Sequence, residues 1–111
     1  MKIAKLLVLL LFASTAQATQ TLSLEAYSKV PLSIDCVIEA VQKAKGIKNI
    51  KVSVVSVEFF GDGFSGAIFH GGAKSPFKNY GVEVTADFGH GGNEMDIANN
   101  VTNSINTNCG K

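Results

Sequence analysis

Apolar residues recur at three- and four-residue spacing through Ile34, Val37, Ile38 and Val41, the period of a helix with one buried face. The flanks agree with that reading. Ser33 stands where an N-cap would fill a free backbone amide, Asp35 falls in the first turn, and Lys43 and Lys45 fall in the last. Gly46 then offers a left-handed stop. The pattern changes over Asn49–Phe60, "NIKVSVVSVEFF", which is rich in β-branched residues and reads as one strand. Its alternation slips once. Ile50, Val52 and Val54 share one parity, while Val55, Val57 and Phe59 share the other. A bulge at Val54–Val55 restores a single apolar face.

"GDG" at Gly61–Gly63 is a tight-turn signal, followed by a second strand in "FSGAIFH" and a Gly/Pro-interrupted loop. The third strand has the clearest alternation: Tyr80, Val82, Val84, Ala86 and Phe88 on one face, with Glu83, Thr85 and Asp87 on the other. Asn93 is a candidate cap for a second helix, with Asp96 at the capping-partner position. Ile97, Val101 and Ile105 form its stripe, with Met95 and Ala98 beside them. Asn and Thr fill the far side, so its last turn is expected to fray. Thr19–Val30 alternates only weakly and fits an edge strand or a short helix equally.

These elements give an α+β fold, helix–three-stranded antiparallel sheet–helix, with both helices on one face of the sheet. That arrangement carries a tension. An odd number of reversing strands sends the two helices the same way. It sets Cys36, at the start of the first helix, far from Cys109, after the second. A chain that doubles back, an interchain bond or a different strand count would each relieve it.

The N-terminus adds the compartment. Lys2 and Lys5 precede an apolar run from Leu6 to Phe12, and Ala16-Gln17-Ala18 supplies a small-residue cleavage pattern. Residues 1–18 therefore read as a cleaved secretory signal peptide and 19–111 as a single domain. The apolar run is too short for a spanning helix, so no stable membrane insertion is expected after cleavage. In a periplasmic or extracellular location Cys36 and Cys109, the only cysteines, read as a disulfide within the chain.

Charge narrows the partners. Cleavage removes Lys2 and Lys5 from the ten cationic residues and none of the nine acidic ones, leaving a slightly acidic domain. Every cation is Lys, so bidentate recognition of phosphate by Arg has no donor. Nucleic acid is not an expected partner. The helix–strand–strand–strand–helix order is similar to that of double-stranded-RNA-binding domains, in element order alone. Those domains need a strongly basic face, which this chain lacks.

The two histidines sit in near-repeated stretches, "FHGG" at Phe69–Gly72 and "GHGG" at Gly89–Gly92. On the three-stranded reading they lie at opposite ends of the sheet, too far apart to share a metal. The remaining metal candidate is His90 with Asp87 and Glu94, and Asp96 close by. The outward carboxylates Glu58, Glu83 and Asp87 read as solvated on an open sheet face, where nothing separates their pKa values for acid–base work. "GFSG" lacks the spacing of a nucleophile elbow, so no catalytic residue and no cofactor are expected. Phe60 and Phe64 bracket the Gly61–Gly63 turn and are candidate partner contacts. The sequence thus points to a small exported binding or inhibitory module for an envelope or extracellular protein. The alternative is a metal-binding protein or enzyme centred on His90.

Overall fold

A computed structural model describes residues 20–70 and 76–110. Residues 1–18, read above as a signal peptide, lie outside the described residues. The chain runs β1 (Gln20–Leu32), α1 (Ile34–Lys43), β2 (Asn49–Val52), β3 (Ser56–Gly61), β4 (Phe64–Phe69), β5 (Phe77–Ala86) and α2 (Glu94–Cys109). The strands form one antiparallel sheet in the order β1-β5-β4-β3-β2.

The expected three-stranded sheet is therefore corrected to five strands, for two physical reasons. First, the lead-in is a full edge strand. Gln20 to Tyr27 pairs residue by residue with Ala86 to Asn79, and the register shifts before Leu32 meets Phe77. Its weak alternation reflects an edge position, where Leu22, Leu24 and Ala26 are only partly buried against the core. Second, Asn49–Phe60 is a hairpin rather than one bulged strand. The chain reverses at Ser53–Val55, pairing Ile50 with Phe59 and Val52 with Val57. The Ser53 N–H donates to the Ser56 carbonyl at 2.9 Å, and the Ser56 N–H donates to Ser53 Oγ at 3.2 Å. A reversal moves the hydrophobic phase by one residue just as a bulge does. Ile50 and Val52 therefore still share a face with Val57 and Phe59, while Val54 and Val55, expected on that face, are exposed in the turn.

Four strands, an even number, now separate the helices, so α1 and α2 run antiparallel. Ser104 Oγ on α2 donates to the Ala40 carbonyl on α1 at 2.6 Å. Cys36 in the first turn of α1 and Cys109 at the end of α2 are joined by a disulfide, with Cα atoms 5.9 Å apart. The tension in the three-stranded reading disappears with the strand count.

Local signals explain the helices. Ser33 caps α1, its side chain accepting from the Cys36 N–H at 3.1 Å. The Asn93 side chain makes no cap bond. Instead the Glu94 carboxylate accepts from the Gly92 N–H at 3.1 Å. Despite its Asn-rich face, α2 remains helical through Cys109, where the disulfide holds its last turn.

Both helices cover one sheet face. There, Val37, Ala40 and Val41 of α1 and Ala98, Val101 and Ile105 of α2 meet Val57, Phe59, Ile68, Tyr80, Val82 and Val84. These side chains are almost fully buried, and removing their apolar surface from water is the main source of stability for so small a domain. The other sheet face carries no helix among the described residues.

Candidate functional site

Strand register determines which residues share the uncovered face, since successive side chains alternate between faces. Thr21, Ser23, Glu25 and Tyr27 of β1 lie beside Thr85, Glu83, Gly81 and Asn79 of β5. Ser65, Ala67 and Phe69 follow on β4, then Phe60 and Glu58 on β3, and Asn49 and Lys51 on β2. One continuous row reads Ser23–Glu83–Ala67–Glu58–Lys51 across the sheet.

Two small residues leave this face concave. Gly81 has no side chain opposite Phe69. Around it lies a shallow hollow of about 560 Å³ bordered by Ser23, Glu25, Phe69, His70, Asn79 and Glu83. Ala67 sits at the floor of a second hollow of about 220 Å³, walled by Glu58, Phe60, Phe69 and Glu83. Glu83 and Phe69 belong to both, so the two hollows form one depression across the middle strands. The Glu83 carboxylate accepts from Ser23 Oγ at 3.4 Å, and Thr21 Oγ1 and Thr85 Oγ1 lie 3.0 Å apart. Phe69 is 40% exposed and Tyr27 is 69% exposed, a large apolar presence for positions on a strand face.

The two candidate aromatic contacts part company. Phe60 faces outward as a wall of the smaller hollow. Phe64 packs against the core cluster and meets the edge of Phe59, with ring centroids 6.4 Å apart. The residues the sequence reading passed over are Phe69, Gly81 and Tyr27. A signal for one of them was present: in "FSGAIF" the parity that buries Ile68 turns Phe69 outward.

The histidines lie at opposite ends of the sheet. His90 follows β5, and its ring covers Gly63 at the β3–β4 turn. There Gly63 takes a φ of +81°, and an added Cβ would collide with the imidazole. The Asp87 N–H donates to the Gly63 carbonyl at 2.8 Å, and the His90 N–H to the Asp87 carbonyl at 2.9 Å. The Glu94 carboxylate is engaged at its own helix start. Among the described residues, no group of three His, Cys, Asp or Glu side chains is placed to hold a metal ion. His70 ends β4 at the other end. Its N–H donates to the Val55 carbonyl at 3.1 Å, and its ring lies 5.6 Å from that of Phe77. It is 6% exposed, and neither ring nitrogen has a hydrogen-bond partner among the described residues.

No family model, curated protein or solved structure matches the chain. The disulfide is compatible with an oxidising, exported location. No described helix is long and apolar enough to cross a membrane.

Proposed function

We propose that this protein is a small exported binding or inhibitory module that takes an envelope or extracellular protein on its uncovered sheet face. One observation carries the reading: both helices pack on a single side of the sheet, while the other side holds the depression over Gly81 and Ala67 with Phe69 exposed beside it. Exposed aromatic residues beside a concave surface bordered by polar groups are a common form of protein contact. The positively charged start, apolar run and Ala16-Gln17-Ala18 ending of residues 1–18 support export. The Cys36–Cys109 bond is consistent with it.

The test places a photo-crosslinking amino acid at Phe69 or, as control, at Asn103, which is exposed on α2. Illumination of cells expressing each variant should give a discrete adduct from position 69 and none from 103. Adducts from position 103 alone would place the contact on the helical side. Mass analysis of the recovered monomer should begin at Thr19; a product that retains Met1 would remove the export step.

A further inference from the structure

The uncovered face differs in charge from a neutral contact surface. Glu25, Glu58 and Glu83 all lie on it and border its depression. The cation paired into its rows is Lys51 on the short edge strand β2, while Lys29 is exposed on β1 where the register shifts, away from the depression's lining. The carboxylates are spread along the depression rather than bunched. Glu25 pairs with Gly81, so it is diagonal to Glu83, a Cα separation of roughly 7–8 Å. Glu83 and Glu58 flank Ala67, two strand spacings apart, or about 10 Å. Side chains on one side of an extended chain repeat at about 6.6–6.8 Å, close to the first of these separations and within reach of the second for a long flexible side chain. Phe60 and Phe69 stand either side of the Glu58–Ala67–Glu83 row, offering ring faces that attract a cation already held by the carboxylates.

Resting on the sheet-face reading above, we infer that the partner contributes an extended, cationic segment, with Lys or Arg at alternate positions laid across Glu25, Glu83 and Glu58. Charge complementarity selects this occupant. An acidic segment would be repelled by three carboxylates, and a purely apolar one would strip water from them without pairing them. The aliphatic stems of Lys or Arg would lie on the Phe69 and Phe60 rings while their heads reach the carboxylates.

The experiment uses the mature, oxidised protein and a labelled ten-residue peptide alternating Lys with Thr, followed by fluorescence anisotropy. A peptide with Gln in place of Lys is the control. The Lys peptide should bind, and the Gln peptide should bind at least about tenfold more weakly. The double variant Glu58→Gln/Glu83→Gln should lose about tenfold in affinity and much of its salt dependence. Glu39→Gln, on the exposed side of α1, should change neither. Equal binding of both peptides, or a double variant that binds as well as the parent, would overturn the inference. Spermidine competing as strongly as the peptide would replace the protein segment with a small polyamine and overturn it as well. The crosslink at position 69 separates the two readings. If it persists while the Lys peptide fails, the face stands and its cationic occupant falls; if both fail, the face itself is wrong.

Discussion

Cys36 and Cys109 are joined across a sequence separation of 73 residues because α1 begins where α2 ends. That adjacency follows from the even number of strands between the helices. The bond closes a loop around most of the described domain, and the chain-entropy model assigns such a closure about 4 kcal/mol. Cys36→Ser and Cys109→Ser are each expected to destabilise the protein by a few kcal/mol. The double variant should cost about the same as either single one, since all three remove one shared bond. Denaturant midpoints under non-reducing conditions measure this. Double-variant losses that approach the sum of the singles would show that each cysteine contributes through packing of its own.

Gly66 and Phe59 face one another across β3 and β4, and the Phe59 ring occupies the space a Gly66 side chain would need. A Cβ there would also press on the Glu83 backbone carbonyl. Phe59 is fully buried at the centre of the core, so it cannot swing aside into solvent. Gly66→Ala should therefore destabilise by about 1–3 kcal/mol, the usual cost of overpacking. The companion variant Gly66→Ala/Phe59→Leu should recover part of the loss. If Gly66→Ala alone leaves the melting temperature unchanged, the close approach is not rigid.

How much of this was legible beforehand depended on which pattern carried the information. The α1 cap at Ser33, the buried parity of Tyr80, Val82, Val84 and Ala86, and Ala98, Val101 and Ile105 of the α2 stripe were readable. Each rests on a local period or a local hydrogen bond. Phe88 and Met95, grouped with them by the same periods, are exposed, Phe88 because β5 ends at Ala86. The strand count was not readable, because Val54–Val55 shifts the phase identically for a bulge and for a reversal. The serine pair that closes the turn is too ordinary a signal to decide between them. β1 was ambiguous because an edge strand buries one side incompletely and so blurs its own alternation. The depression was hidden for a different reason. Gly81 lies opposite Phe69, and Ala67 between Glu58 and Glu83, only once the register of three strands is known.

His70 presents a buried imidazole whose two nitrogens lack partners among the described residues. An unpaired polar group in a buried position costs stability that an apolar group of similar size does not. His70→Leu is expected to be neutral or to stabilise by up to about 1 kcal/mol, read from the denaturation midpoint at neutral pH. A loss well beyond that size would show that the ring supports Phe77 by more than contact.

Tyr80 supplies a dependence on alkaline pH. It is 3% exposed on the helix-covered side of the sheet, and burial raises its phenol above the ordinary value of 10.0. Below that pH the phenol keeps its proton in both the folded and the unfolded chain, so it adds no slope. As pH rises past 10.0 the unfolded chain releases its proton first, while the folded chain still holds it. The unfolded state then binds fewer protons, and stability falls as pH increases until the folded phenol also ionises. Tyr80→Phe cannot ionise and should lack this component. The stability of the parent relative to Tyr80→Phe should stay level up to about pH 9 and decline towards about pH 11. Urea unfolding of both proteins across that range measures the difference, and lysine titration, common to both, cancels. Parallel curves throughout would mean that the phenol ionises as readily in the folded protein as in the unfolded chain.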